Sequence, residues 1–186
     1  MKPELILVLG GGRSGKSAFA ERLAGEGGRV LFVATAQAGD EDMTQRIAEH
    51  RRRRPDSWDT LEEPIDLTNA IAGVAARYDT VLVDCLTLWV SNLLLQEEPP
   101  VSDDEVVRRA EALLDAHPRN GGRWVLVSNE VGLGIVPDTP LGRRYRDVLG
   151  RVNVAAARRA GRVYLMVAGL ATELKGLGAQ PLEDAP

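Results

Sequence analysis

The chain has 186 residues, a formal net charge of −4 and a single cysteine, which fits one α/β domain without an intramolecular disulfide, as expected in the reducing cytoplasm. Because 23 lysine and arginine residues stand against 27 acidic ones, general binding of nucleic acid is disfavoured, since phosphates attract positive surface. The apolar stretches are shorter than the roughly 18 residues of a membrane span, and the amino terminus lacks a signal-peptide pattern, so we expect no membrane span.

The predicted elements alternate strand and helix, a pattern typical of parallel sheets with crossover helices. The first half predicts strands at 5–9, 30–34 and 80–84, and helices from Lys16 to about Leu23, from Asp40 or Asp42 to about Arg53, and over about 65–77. The second half predicts strands at 124–128 and 163–167, and helices at 86–96, 103–116 (with a Ser102–Glu105 capping box) and 139–160. An open, mainly parallel sheet of at least five strands with helices on both faces follows.

Residues 10–17 form the phosphate-binding pattern G-x-x-x-x-G-K-[ST], placed between the first strand and the first helix as that pattern requires. Glycines let several backbone N–H groups point at one phosphate, Lys16 brings a charge to the β- and γ-phosphates, and Ser17 offers a hydroxyl to Mg²⁺. The sequence therefore predicts a single domain of the P-loop NTPase type over residues 1–175 that binds a nucleoside triphosphate. Residues 176–186 have little apolar content and are predicted to form a mobile tail.

Ligands of such sheets bind at the carboxyl ends of the strands, so the residues that follow each strand are candidates for the site. Asp84 ends the third predicted strand as a Walker-B acid would, holding Mg²⁺ directly or through water. The alternative is that Asp84 caps the helix at 86–96. Glu130, after the fourth strand, is either a base or metal ligand or an ordinary acidic loop residue.

Two histidines occur in the chain. His117 precedes Pro118 at a helix end, where a favourable contact with the helix dipole explains it. His50 lies beside Arg51–Arg54, and is either a surface histidine on a basic helix or a nucleophile towards phosphorus. Arginines are also dense at 143–146 and 158–162, which indicates either small phosphorylated ligands or solvated helix surface.

Several stretches, in this order along the chain, resemble one known family. They are residues 10–17, Ala34-Thr35-Ala36, residues 46–51 leading to Arg54-Pro55, residues 128–137 and residues 146–153. Together they resemble the bifunctional adenosylcobinamide kinase/adenosylcobinamide-phosphate guanylyltransferase family of cobalamin biosynthesis, over about residues 4–170. The phosphate loop occurs in many unrelated NTPases, whereas the Asn129–Pro137 stretch and the surroundings of His50 are far more specific.

The resemblance implies phosphorylation of adenosylcobinamide by an NTP, and then GMP transfer from GTP through a covalent GMP–histidine at His50. It implies Mg²⁺ as cofactor, GTP and/or ATP as substrates, a corrinoid acceptor and a homotrimer. Lys16 is expected to be catalytic together with His50, and the nucleotide contacts are assigned to Gly10, Gly11, Gly12, Arg13, Ser14, Gly15, Lys16, Ser17, Ala34, Thr35, Ala36, Arg51, Arg52, Arg53, Arg54, Glu62 and Asp84. The apolar residues of helix 139–160 offer either an interface or core packing: Val148, Leu149, Val152 and Val154.

Three other functions share parts of this pattern. A small-molecule kinase of the nucleoside-monophosphate type would have the same loop and sheet, and a regulatory NTP-binding module would bind nucleotide without turnover. An ATPase linked to RNA or DNA would use the arginine runs and show a steep salt dependence. Covalent labelling by GTP separates the bifunctional transferase from the kinase, turnover with cobinamide separates it from the regulatory module, and hydrolysis stimulated by nucleic acid would indicate the ATPase.

Overall fold

A computed structural model describes residues 3–37, 51–52, 54–96 and 100–181 of the chain. The helix predicted from Asp40 or Asp42 lies mostly outside the described residues, as do His50 and Arg53. Arg51 and Arg52, at the end of that predicted helix, are helical.

Seven strands of the described ranges form one sheet. In chain order they are β1 (Glu4–Gly10), β2 (Val30–Ala34), β3 (Asp59–Glu62), β4 (Thr80–Asp84), β5 (Arg123–Val127), β6 (Arg162–Val167) and β7 (Leu170–Glu173). Their order across the sheet is β3-β2-β4-β5-β1-β6-β7, and every neighbouring pair is parallel except β6 and β7. The prediction of an open, mainly parallel sheet of at least five strands is therefore confirmed.

Two edge strands, β3 and β7, were not predicted. Both have four residues and are largely exposed, so neither shows the apolar run of a buried strand. β7 returns antiparallel to β6 through Ala168 and Gly169, whose φ angles are 51° and 80°. Edge strands of this kind are stabilised mainly by backbone hydrogen bonds to the neighbouring strand, so their side chains do not show a pattern from which a strand can be predicted.

The helices follow the predicted positions closely. Those that lie wholly within the described ranges are α1 (Lys16–Ala24), α2 (Leu67–Ala72), α3 (Leu86–Leu94), α4 (Asp103–Asn120) and α5 (Pro140–Arg159). The helix predicted over 65–77 is wrong in its second half, because α2 ends before Gly73 and a separate 3₁₀ turn covers Ala75–Arg77. Ser102 caps α4, its Oγ accepting from Glu105 N at 3.2 Å, while the Glu105 carboxylate pairs with Arg108 and Arg109.

Side chains alternate between the two faces of the sheet and bury both of them. One face packs on α1 through residues such as Ile6, Val8 and Phe32, and the other packs on α2 to α5. Val148, Leu149 and Val152 of α5 are at most 1% exposed, so for these three the core-packing alternative holds. None of the helices within the described ranges is both long and apolar enough to cross a bilayer.

Charged pairs tie α5 to α4 along their exposed sides. Arg144 Nε lies 2.6 Å from Asp103 Oδ1, Arg151 Nη2 lies 2.8 Å from Asp104 Oδ1, and Arg159 pairs with Asp115. These arginines are thus engaged with carboxylates of the same chain, which favours the solvated-surface interpretation of the later arginine runs.

His117 lies within α4 and is buried, although its position before Pro118 predicts a helix end. Its Nε2 is 3.3 Å from the carbonyl oxygen of Gly122, and its ring packs edge-on against Trp124 with 5.4 Å between centroids. Burial lowers the pKa of His117, and the hydrogen bond to Gly122 acts in the opposite direction. His117 is therefore part of the packing at the amino end of the sheet, since Gly122 directly precedes β5.

Candidate active site

The phosphate loop joins β1 to α1 through three residues in backbone conformations that favour glycine. Gly10 has φ 152°, Gly15 has φ 95° as the N-cap of α1, and Arg13 has φ 57°. A side chain at Gly11 or Gly12 would meet nothing within 4 Å. The loop therefore curls tightly against β6 on one side and stays open on the other, as a phosphate cradle must.

Gly10 is the position of the loop least tolerant of a side chain. A Cβ there would lie 2.5 Å from Met166 O and 2.8 Å from Ser14 Oγ, in addition to the strain of its φ angle. We expect Gly10→Ala to lower the free energy of unfolding by about 1–3 kcal/mol, measured by urea denaturation. Gly12→Ala is the matched control and should stay within about 0.5 kcal/mol of the parent. Equal loss in both variants would contradict this account of the loop.

Lys16 points back into the loop. Its side chain is nearly buried, with the residue 8% exposed, and its Nζ donates to the carbonyl oxygen of Gly11 at 2.6 Å. Burial lowers the pKa of Lys16, while the nearby Cys85 and Asp84 act in the opposite direction. An ammonium group held inside a glycine loop is suited to meet phosphate oxygens.

Ser14 contributes a second polar group to the inside of the loop. Its Oγ is buried and has no hydrogen-bond partner among the described residues. A buried hydroxyl without a partner is costly, so an oxygen-rich ligand in the loop would relieve this cost. The carbonyl oxygen of Ser14 accepts from Gly169 N at 3.1 Å, which fixes the loop to the β6–β7 turn.

Asp84 ends β4 in one row with residues of the neighbouring strands. Across the sheet, Glu62 pairs with Ala34, Ala34 with Asp84, and Asp84 with Val127 of β5, which itself neighbours β1. Neighbouring strands are about 4.8 Å apart. Asp84 is two strands away from β1 and therefore about 10 Å from it, and Glu62 is four strands away and about 19 Å from it. The N-cap of α3 is Cys85, so Asp84 is not the capping residue and its Walker-B interpretation is the stronger one.

The donor set at the loop suits a cation that shares its ligands with a nucleotide. Ser17 offers a hydroxyl and Asp84 a carboxylate, and both are hard oxygen ligands. Over the described ranges there is no group of three or more His, Cys, Asp or Glu residues that could hold a metal by itself. Mg²⁺ is commonly held by one or two protein ligands together with substrate phosphates, and these residues fit that arrangement.

Thr35 has a structural task in addition to its predicted place at the nucleotide. It is fully buried, and its Oγ1 donates to Cys85 O at 2.8 Å and accepts from Cys85 N at 2.9 Å. The Thr35 carbonyl accepts from Asn92 Nδ2 at 2.8 Å. The Thr35 hydroxyl thus joins the ends of β2 and β4, and Asn92, a polar residue in an apolar helix, is a supporting residue that sequence analysis missed.

Arg51 and Arg54 lie at the β3 edge of the sheet. Arg54 stacks on Phe32, with its guanidinium carbon 3.4 Å from the ring centroid, and its Nη1 is 3.4 Å from Thr60 Oγ1. Burial lowers the pKa of Arg54, and nearby Asp84 opposes this shift. Arg51 pairs with Glu62 in an exposed position, and Arg52 is exposed. The structure thus brings Arg51, Arg54 and Glu62 together at the β3 edge of the sheet, with Arg54 also near Asp84.

The segment after β5 lies directly against the phosphate loop. Glu130 N donates to the carbonyl oxygen of Gly10 at 3.1 Å, and the Glu130 carboxylate accepts from Gly132 N at 2.9 Å. Beyond it, Leu133 and Ile135 are 83% and 96% exposed. Glu130 is therefore held beside the loop that holds Lys16, although 114 positions separate the two in the sequence.

A glycine loop between a central parallel strand and a helix, with a buried lysine inside it and an acid at the end of β4, defines a P-loop α/β protein. Within that class the chain belongs to the cobinamide kinase/cobinamide phosphate guanyltransferase family, whose sequence model matches residues 6–174.

Curated relatives are similar over almost their whole length. The bifunctional adenosylcobalamin biosynthesis protein CobP of Pseudomonas aeruginosa is 53% identical over 171 residues, which cover 91% of this chain and 96% of that protein. The proteins named CobU from Salmonella typhimurium and Escherichia coli are 41% and 40% identical over 180 residues, covering 92% of this chain and 99% of each relative.

Proposed function

We propose that this protein phosphorylates adenosylcobinamide with an NTP and then transfers GMP from GTP to adenosylcobinamide phosphate, which gives adenosylcobinamide-GDP in cobalamin biosynthesis. The observation that carries this proposal is the phosphate loop with Lys16 inside it, bonded to Gly11 O at 2.6 Å, in a chain of this family. The other members of the site, except Glu130, are assigned to steps of these two reactions below.

In the kinase half, the hydroxyl of the aminopropanol arm of adenosylcobinamide attacks the γ-phosphorus, and the bond from that phosphorus to the β–γ bridging oxygen breaks. The nucleoside diphosphate leaves, and the hydroxyl proton passes to solvent. Catalysis here is mostly positioning and charge neutralisation. Lys16 exchanges its bond to Gly11 O for phosphate oxygens, and Ser14 Oγ gains the partner that it lacks. The backbone N–H groups of residues 10–17 bind the remaining phosphate oxygens.

Mg²⁺ would be held by the Ser17 hydroxyl and the Asp84 carboxylate. When bound, it neutralises charge on the β- and γ-phosphates. Asp84 also lies near enough to Lys16 to influence its pKa, so the acid and the ammonium balance each other within the site.

In the guanylyltransferase half, an imidazole nitrogen of His50 attacks the α-phosphorus of GTP, and pyrophosphate leaves. An oxygen of adenosylcobinamide phosphate then attacks the same phosphorus, and the N–P bond breaks. Two displacements of this kind replace one difficult step by two easier ones. Arg51, Arg52, Arg53 and Arg54 are assigned to the phosphates and Ala34, Thr35, Ala36 and Glu62 to the rest of the nucleotide.

Product analysis tests the two halves separately. Purified protein is incubated with adenosylcobinamide and ATP or GTP, and the corrinoid products are analysed by mass spectrometry. A phosphorylated corrinoid is expected first, and a GMP adduct of it only when GTP is present. An unchanged corrinoid with both nucleotides would contradict the proposed function and favour a regulatory nucleotide-binding module. Which NTP supports the first step follows from the same experiment.

The same proposal includes a cytoplasmic location, where the nucleotide substrates are available, and a homotrimer. Exposed apolar side chains such as Leu133, Ile135 and Leu170 support self-association, because solvent contact of such groups is unfavourable. Light scattering in solution is expected to give three times the mass of one chain. The mass of a single chain at micromolar concentration would contradict the trimer.

A further inference from the structure

Asn153 is a buried polar residue of α5 that faces the strand-end segment after β5. It is 5% exposed. Its Oδ1 accepts from Ser128 Oγ at 2.7 Å, and its Nδ2 donates to Asn129 O at 3.0 Å. One amide group therefore holds two successive residues, and because both bonds are shielded from water they are costly to lose.

Asn129 and the residue after it connect Asn153 to the phosphate loop. Asn129 N donates to Thr87 Oγ1 of α3 at 2.7 Å, and the next amide, Glu130 N, donates to Gly10 O at 3.1 Å. Gly10 is the first residue of the phosphate loop. A continuous chain of hydrogen bonds thus runs from the middle of α5 through Asn129 and Glu130 to the loop.

The same helix also holds the other end of this segment. Arg143 Nη1 donates to Pro137 O at 2.9 Å and to Asp138 O at 2.8 Å. Between the two anchors the segment makes few contacts with the core, since Leu133 and Ile135 are almost fully exposed.

At its amino end the segment is held by Val8 O through Ser128 N, by Thr87 Oγ1 through Asn129 N, and by Asn153. Of these three partners, Asn153 is the one that binds two successive residues with one side chain.

We propose that Asn153 is a positioning residue for phosphoryl transfer, which holds Glu130 so that its carboxylate lies in the correct place relative to Lys16. Asn153 does not touch the loop itself and acts through Ser128 and Asn129. This inference rests on the proposed function for its catalytic part. The other part of the inference, that Asn153 holds the segment after β5 by hydrogen bonds, can be tested without substrate.

Asn153→Ala is expected to lower kcat of γ-phosphate transfer to adenosylcobinamide about 10- to 100-fold, because displacement of a site by about 1 Å has effects of this size. KM for the nucleotide should change less than about threefold, since Lys16 and the backbone N–H groups of the loop remain in place to bind the phosphates. Asn153→Asp keeps the acceptor for Ser128 but loses the donor to Asn129 O, and should behave like Asn153→Ala. Ser102→Ala, which removes the N-cap of α4, is the control for lost stability and should leave kcat unchanged.

A double-mutant cycle with Glu130→Ala separates positioning from general destabilisation. If Asn153 acts through Glu130, Asn153→Ala should lower kcat no further in the Glu130→Ala background. The positioning role would be contradicted if the double variant lost kcat by the product of the two single losses, or if Asn153→Ala alone kept the parental kcat. A Glu130→Ala enzyme of full activity would contradict it as well.

Amide hydrogen exchange tests the bonding itself. Asn153→Ala should accelerate exchange of the Asn129 and Glu130 amides at least tenfold, while the core amides of β5 stay protected as in the Ser102→Ala control. Unchanged exchange at both amides would contradict the role of Asn153 whatever the activity. A parent enzyme without kinase activity, but with this exchange pattern, would contradict only the proposed function.

Discussion

Replacement of His50 by asparagine is expected to abolish acid-labile labelling of the protein by GTP that is radiolabelled at its α-phosphate. The imidazole nitrogen is the proposed nucleophile, and the amide of asparagine cannot replace it although its size and polarity are similar. The imidazole is the nitrogen nucleophile whose ordinary pKa leaves it with a free lone pair near neutral pH. The expected loss is therefore complete and not partial.

The chain supplies a matched control for this experiment, because it contains only two histidines. His117→Asn removes the other one, which packs against Trp124 in the interior, and should label as the parent does. In the parent, labelling should fall below about pH 6.5, where the protonated imidazole has no lone pair for attack. Full labelling of His50→Asn, or label mapped to another peptide, would contradict the covalent GMP–histidine.

Replacement of Lys16 by methionine is expected to lower kcat of γ-phosphate transfer by about 10²–10³-fold, the usual cost of one lost electrostatic contact to a transition state. The fold should tolerate this change. Burial lowers the pKa of Lys16, which means that the charged group is held at a cost in the native state. The melting temperature of Lys16→Met should therefore be equal to that of the parent or higher, although the bond to Gly11 is lost.

Two further variants sharpen this result. Lys16→Arg keeps the charge, but its larger planar group does not fit a loop built around a point charge, so it should lower kcat by a similar factor. Lys175→Ala removes a lysine outside the site and should keep full activity. Retained kinase activity in Lys16→Met would show that the loop binds phosphate without taking part in catalysis, which would contradict the assignment of Lys16.

Much of the fold could be predicted from the sequence because the patterns that indicate its strands and helices lie within a few neighbouring residues. Apolar runs such as Leu5–Leu9 and Val81–Val83 define buried parallel strands, and Gly10–Ser17 carries its own strand–loop–helix context. The edge strands Asp59–Glu62 and Leu170–Glu173 lack such a signal, because they are stabilised by backbone pairing with β2 and β6. The end of α2 at Ala72 was missed for a related reason, since one glycine is a weak stop signal on its own.

The residues of the site could likewise be predicted from the sequence, whereas their contacts with one another could not. Lys16, Asp84 and Glu130 are recognisable one by one from their places after strands, and their types indicate phosphate and cation chemistry. Only the tertiary structure decides that Thr35 uses its hydroxyl to join β2 to β4 and that Glu130 N bonds to Gly10 O. The tertiary structure also decides that Asn153 of α5 holds the segment that follows β5. Periodicity and motifs report on neighbours within a few residues, but hydrogen bonds between residues 24 to 120 positions apart depend on the strand order, which follows from packing of the whole chain.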